Sequence, residues 1–243
     1  MKLIDSKIRF NHRHDLFGKI NQSTIEIPIR VYDDAVIGKH IKETNQWEPE
    51  ITDFLSDYIK TKRDKYICLD IGAHVGYFSL ILGQNPDLFI HSFEPHPDIY
   101  RVLQENTVGY PNILTHNYAV SLSNDIVPLY ASNTNTGDNS TDQKEIEKWN
   151  KQDYKTISCF TKRLSDFYIP REKVGLVKID TQGTEYDIFS VYALPEVFYI
   201  IEKGPEINRF IRKNKKHLVI LEDTQYDYVF EILQKDWPSI EWL

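Results

Sequence analysis

The chain has 243 residues, 41% hydrophobic and 27% charged, with a formal net charge of −7. That length fits one α/β domain with additions and is enough to bury a full core. The acidic balance gives no overall field to gather phosphate, so nucleic acid is not expected as a partner, and two cysteines are too few for a disulfide framework or a zinc site.

Both cysteines, Cys68 and Cys159, fall in apolar runs and read as buried thiols. The start, Met1 to Asp5, is charged and lacks an apolar h-region, so no signal peptide is expected and the location reads as cytoplasmic. No window approaches the roughly 18 uninterrupted apolar residues of a membrane span.

The first strand-like run is Thr24 to Tyr32, with period-2 alternation and an edge position implied by Pro28. Pro49 suits a first helical turn, and Ile51, Phe54, Leu55, Tyr58 and Ile59 repeat at helical spacing. Glu48 reads as an acid at that helix start, with an approach to the cofactor pocket as the other reading. Residues 1–60 are therefore expected to form an N-terminal cap on a domain spanning 61–243.

From Tyr66 the chain alternates strand and helix. An apolar run to Leu69 ends in Asp70, followed by glycines at 72 and 76 and then a helical pattern. Glycines in such a loop let backbone approach a ligand, and the helix N-terminus offers unpaired N–H groups. The spacing is G-x-x-x-G, and not the G-x-G-x-x-G of dinucleotide sites. An acid at position 70 would repel a pyrophosphate, which argues against a nicotinamide-dependent oxidoreductase. It suits a cationic, hydroxyl-rich ligand such as S-adenosylmethionine. The next strand, Phe89 to Phe93, ends in Glu94, placed to accept ribose hydroxyls.

A helix over Asp98–Asn106 and a strand over 113–119 are expected next, then strands over 126–130 and 156–161. Between the last two, Ser132 to Asp142 is rich in turn formers and reads as a substrate-side loop. Val174 to Ile179 is a buried strand ended by Asp180, with a helix from about Gly183 to Tyr192. Leu218 to Leu221 is a last strand ended by Glu222, and Tyr228 to Leu233 is expected to be a terminal helix. The run Arg212 to His217 reads as a solvated helix end. This order implies a mostly parallel sheet with helices on both faces. Asp70, Glu94, Asp180 and Glu222 are expected on its ligand-binding edge.

Four stretches resemble one family: Asp70-Ile-Gly-Ala-His-Val-Gly-Tyr-Phe-Ser79, Phe93-Glu-Pro-His-Pro97, Asn117-Tyr-Ala-Val-Ser121 and Val177-Lys-Ile-Asp-Thr-Gln-Gly-Thr-Glu185. They look like the FkbM family of S-adenosylmethionine-dependent O-methyltransferases, over about residues 45–225. The resemblance implies a Rossmann-like class I methyltransferase fold and S-adenosylmethionine as cofactor. It implies acceptor hydroxyls on sugars, glycans or polyketide-type metabolites. Carried over, Asp70, Gly72, Ala73, His74, Gly76 and Tyr77 would hold the methionine end. Glu94 and Pro95 would hold the ribose, and Asn117 and Ala119 would flank the adenine. Asp180 and Glu185 would face the transfer site, with Asp180 or His96 as base. His74 stands where Asn is commoner and Gln182 where Glu is commoner, and no metal site is expected. Tyr77 and Phe78 also read as helix-to-sheet packing. Competing readings are a non-catalytic binding module of the same fold, or a methyltransferase acting on RNA or protein.

Overall fold

The computed structural model describes residues 1–16, 19–61, 64–148 and 154–243, with backbone alone for 12–16, 19–23 and 148. Strands β1 (Leu3–Leu16) and β2 (Lys19–Tyr32) pair antiparallel. Among the described residues β2 has no second partner strand, so Pro28 can lack its N–H without breaking a ladder. Helices α1 (Ile37–Thr44) and α2 (Pro49–Tyr58) follow. Helix α2 buries Ile51, Leu55 and Tyr58, the face its spacing predicts.

The remaining elements are β3 (Ile67–Ile71), α3 (Tyr77–Leu82), β4 (Phe89–Phe93), α4 (Pro97–Thr107), β5 (Ile113–His116), β6 (Ala119–Ser121), β7 (Ile126–Ser132), α5 (Gln143–Lys148) and β8 (Tyr154–Arg163). Then come β9 (Val174–Ile179), α6 (Glu185–Tyr192), β10 (Phe198–Glu202), α7 (Pro205–Asn214), β11 (Leu218–Asp223) and β12 (Asp227–Ile232). Seven strands form one sheet in the order β11-β12-β10-β9-β3-β4-β5, parallel except for β12. Strands β6, β8 and β7 form a small separate sheet. The large sheet is the Rossmann-like architecture expected. Buried residues such as Leu69, Ile71, Ile179, Phe189 and Phe230 pack on one face of it. On the other, Ile8, Phe10 and Ile27 of the N-terminal strands join Leu55, Leu80, Ile90 and Ile200.

The chain runs from β3 outward to β4 and β5, then returns to β9 and runs the other way. Strands β3 and β9 are neighbours, so the crevice where the connections diverge opens between their carboxyl ends. Gly72 and Asp180 lie there. Gly72 has φ +85°, and a Cβ on it would fall 1.8 Å from the Asp180 carbonyl oxygen. Only glycine lets the two loops approach so closely.

Several elements differ from the expectation. Residues 113–119 divide between β5 and β6, which belong to different sheets. Tyr228 to Leu233 is not a helix: Asp227–Ile232 is strand β12, inserted antiparallel between β10 and β11 with Val229, Phe230 and Ile232 buried. A run this short carries no periodicity that separates strand from helix, and pairing decides it. Strands β1 and β10 and helix α1 lie outside the elements expected from sequence. The basic run from Arg212 is the exposed end of α7 and the turn after it. Both cysteines are buried thiols outside any disulfide. Among the described residues, no helix is long and apolar enough to cross a membrane.

Candidate functional site

A cavity of about 320 Å³ opens at the carboxyl edge of the sheet, a size in the range of small-molecule sites. The loop after β3 supplies Gly72, Ala73 and His74, and α3 adds Tyr77 and Phe78. Glu94 and Pro95 follow β4, and Tyr118, Ala119 and Val120 close that end. At the opposite end stand Lys178, Asp180, Thr181 and Gln182 from β9 and its loop. Glu202 comes from the end of β10, Asp227 from the start of β12, and Trp47 and Glu48 from the turn before α2.

Glu94 is 5% exposed, and its two carboxylate oxygens accept the backbone N–H groups of His74 at 3.0 Å and His96 at 2.8 Å. A carboxylate offers about four lone-pair sites, so each oxygen keeps capacity for a ligand donor. Burial raises Glu94 to about 7, against the pull of those two N–H groups. The Asn117 amide donates to the carbonyls of Glu94 and Pro95 and shapes this turn. The 132–142 loop lies along the same wall. Thr136 donates to Asp34 at 2.6 Å and is 2.8 Å from His74 Nε2, and Ser140 donates to the Gln182 carbonyl. Burial pushes His74 down to about 4, so it is neutral.

The acidic end is built around one cation. Lys178 is 2% exposed and its Nζ lies 2.9 Å from Asp180 Oδ2 and 4.9 Å from the centre of the Phe78 ring. Burial alone would depress Lys178, but the carboxylates of Asp180, Asp70, Glu48 and Asp227 outweigh it and hold the ammonium well above its ordinary value. Asp180 Oδ1 accepts from Gln182 Nε2, which also reaches both oxygens of Glu202 at 3.0 Å. Burial would raise Asp180, yet Lys178 wins and holds it below the usual carboxylate range. Burial and the Asp180 charge push Glu202 well up, so Glu202 keeps the proton of that pair. Burial and then Asp227 lift Glu48 to about 8, and burial lifts Asp227 to about 6.

These shifts predict a pH dependence of stability. A carboxyl group whose pKa is raised by folding stabilises fully below its unfolded value, and that contribution is lost as pH rises through the folded value. His74 works the other way, but its effect is complete by its unfolded value of 6.5. Above that pH the carboxyl groups act alone. The melting temperature therefore falls between pH 6.5 and about 8, read by thermal denaturation in matched buffers. A flat profile there would contradict the burial of Glu48 and Glu94.

Three non-glycine residues with left-handed backbone line this one cavity: Glu48 (φ 44°), His74 (φ 52°) and Gln182 (φ 57°). Such conformations cost of order 1–3 kcal/mol and gather at functional sites. Glu48 occupies the N-cap of α2 yet makes no capping hydrogen bond with its side chain. Its carboxylate turns into the cavity, so the expected role as a helix-start acid is corrected.

Of the sequence-derived candidates, Gly72, Ala73, His74, Tyr77, Glu94, Pro95, Ala119 and Asp180 line the cavity. Asp70, Gly76 and Asn117 support it without lining it. Asp70 is 1% exposed, accepts from Ser79 Oγ at 2.5 Å and faces Lys178 in register across β3 and β9. His96 and Glu185 are not among the residues that line the cavity. His96 caps α4, with Nδ1 accepting the Asp98 N–H at 3.2 Å. Glu185 accepts from the N–H groups of Thr181 and Gly183 and from the Thr181 hydroxyl, clamping the loop that carries Gln182. Glu222 is exposed at the far end of the sheet, where β11 is the edge strand. Glu48, Lys178, Glu202 and Asp227 are the site residues absent from the sequence-derived set. Among the described residues no group of His, Cys, Asp and Glu could hold a metal ion.

Between residues 70 and 232 the chain matches the methyltransferase FkbM domain. None of the curated proteins compared with it matches. Among solved structures, Trm5b from Pyrococcus abyssi aligns with a TM-score of 0.42 and 8% identity over 94% of this chain. This chain spans 64% of the Trm5b chain, less than two thirds of it. Precorrin-6y C5,15-methyltransferase from Geobacter metallireducens aligns with a TM-score of 0.46 and 11% identity, covering 77% of this chain and 89% of that one. TYW2 of M. jannaschii, solved in complex with AdoMet, gives a TM-score of 0.40 and 10% identity, covering 92% and 87%.

Proposed function

The chain belongs to the family of methyltransferase FkbM domains, and we propose that it is an O-methyltransferase acting on a hydroxyl of a sugar or glycan. S-adenosylmethionine is the methyl donor of this family, and bound here it supplies an electrophilic methyl group on a sulfonium. The donor chemistry of the cavity fits that cofactor. Glu94 has lone pairs left for ribose hydroxyls, and the carboxylates suit a ligand with positive charge. A pyrophosphate would meet those carboxylates with Lys178, the one buried cation among the described residues, already committed to Asp180.

The observation that carries the acceptor reading is the opposite end of the cavity, where Asp180, Glu202, Asp227 and Glu48 converge. Carboxyl groups there can orient a hydroxyl and receive its proton, and positioning alone can supply several kcal/mol of the barrier. Asp180 is proposed to orient the acceptor oxygen, and the 132–142 loop to cover the bound pair. The segment of residues 1–60 is proposed to act as a cap, since it delivers Glu48 to the site.

The test has two stages. S-adenosylhomocysteine at about 100 times its dissociation constant adds roughly 2.7 kcal/mol, expected to raise the melting temperature by about 5–10 °C. Glu94→Ala removes most of that shift, while NAD gives none. Absence of any shift with S-adenosylhomocysteine would favour a non-catalytic binding module. Labelled methyl transfer is then screened over neutral glycosides, nucleotide sugars, RNA and protein. Transfer to RNA or protein alone would overturn the carbohydrate reading.

A further inference from the structure

We propose that Glu48 and Asp227 form the acceptor subsite, a two-carboxyl grip for neighbouring hydroxyls of a neutral sugar that turns anionic acceptors away. The proposal rests on the methyl-transfer reading above and specifies the chemistry of its acceptor.

Asp227 is 2% exposed, lines the cavity, and its Oδ2 has no hydrogen-bond partner. Glu48 Oε2 is buried against the same cavity and is unpartnered too. Buried polar atoms without partners are rare because each forfeits its hydration. Two of them on one cavity mark the place where a ligand supplies the donors.

Both groups are held in place from outside the cavity. The Trp47 N–H donates to the Tyr77 hydroxyl at 2.9 Å, and Thr52 Oγ1 donates to the Trp47 carbonyl at 2.7 Å. These bonds fix the turn that carries Glu48 in its left-handed backbone. On the other side, the Asp227 N–H donates to Thr224 Oγ1 at 2.9 Å, and the Lys203 N–H donates to the Tyr226 carbonyl at 2.6 Å. Glu48 has a hydrogen bond with the neighbouring Trp47 side chain, which leaves its Oε2 unpartnered. The strained backbone of Glu48 and the desolvated, unpartnered oxygens of both groups therefore point to a use beyond the fold.

The chemistry of the pair favours hydroxyls. Burial and mutual repulsion raise Glu48 to about 8 and Asp227 to about 6, so near neutral pH the pair offers one acid that donates beside one carboxylate that accepts, the complement of neighbouring hydroxyls. An ammonium offers the protonated Glu48 no acceptor, and a phosphate would meet Glu48, Asp180, Glu202 and Asp227 with no uncommitted cation facing it among the described residues. Trp47 and the exposed ring of Tyr226 line the same end and offer apolar faces to the C–H side of a sugar ring.

The test compares the wild type with Glu48→Gln and Asp227→Asn. At pH 8 both variants are expected to melt at or above the wild-type temperature, and the shift with S-adenosylhomocysteine is retained. Methyl transfer is measured on a panel of neutral methyl glycosides, hexosamines, hexose phosphates and RNA. The expected result at pH 8 is transfer to a neutral glycoside with KM raised about tenfold or more in each variant, because the amide puts an NH2 donor where a sugar hydroxyl needs an ionised acceptor oxygen. A melting temperature several degrees below wild type in either variant would make the pair structural and overturn the subsite. So would an unchanged KM, or preference for hexosamine or phosphate-bearing acceptors. If the wild type binds S-adenosylhomocysteine but methylates nothing on the panel, the carbohydrate reading itself falls. Unchanged KM on a working sugar sinks the subsite alone.

Discussion

Lys178→Met is expected to lower the melting temperature by about 10 °C, the loss of roughly 3–5 kcal/mol that follows when one partner of a buried ion pair is removed. Lys178 is the next-to-last residue of β9, with Asp70 opposite on β3 and Ile200 opposite on β10. It is the shared counter-charge for Asp180, Asp70, Glu48 and Asp227. Methionine fills the volume but leaves those carboxylates to face one another in a desolvated site. Protonation would relieve them, so the deficit shrinks toward pH 5 and widens toward pH 8. The double variant Lys178→Met/Asp180→Asn recovers part of the loss, because it removes the charge most tightly paired with the ammonium. Equilibrium denaturation of the single and double variants measures both effects. A shift below about 2 °C for Lys178→Met would mean that water or rearrangement neutralises the cluster.

The same cluster shows which parts of the site can be read from sequence. Asp70, Glu94 and Asp180 each end a continuous apolar run, and in a parallel sheet the residue at that point faces the ligand edge. Asp70 nonetheless turns beneath the loop toward Ser79 and Lys178, because strand alternation and not sequence position decides which way an end residue points. Glu202 carries the same signal after Phe198 to Ile201 and was legible in principle. Asp227 was not, and Glu48 was legible only as one of two readings. Asp227 begins an antiparallel strand and reaches the edge from the opposite direction. Glu48 arrives from a turn ahead of a helix, placed by tertiary contacts with Tyr77 that no local pattern encodes. Lys178 was hidden for another reason: a lysine inside an apolar strand run reads as a solvated side chain until its neighbours prove to be acids. His96 and Glu185 show the converse. Their positions matched a motif, but their side chains are spent on local N–H groups.

Asp180→Asn is expected to cut methyl transfer by about 10²–10⁴-fold, the range for losing a positioned acid–base or electrostatic group, while the S-adenosylhomocysteine shift persists. Asp180 is the ionised member of a carboxyl pair. Lys178 and Gln182 hold both of its oxygens, so it does not swing between roles, and its charge faces the point where the acceptor oxygen becomes positive as its bond to carbon forms. Asparagine keeps the shape and removes the charge. Glu202→Gln provides the contrast, because Glu202 already carries the shared proton and a neutral amide replaces a neutral acid. That variant is expected to retain transfer within about tenfold, since one neutral hydrogen bond contributes roughly 1 kcal/mol. The two variants measured side by side on the acceptor found in the screen fix which carboxyl group is charged during turnover. Activity in Asp180→Asn together with its loss in Glu202→Gln would reverse the assignment and move the catalytic charge to β10.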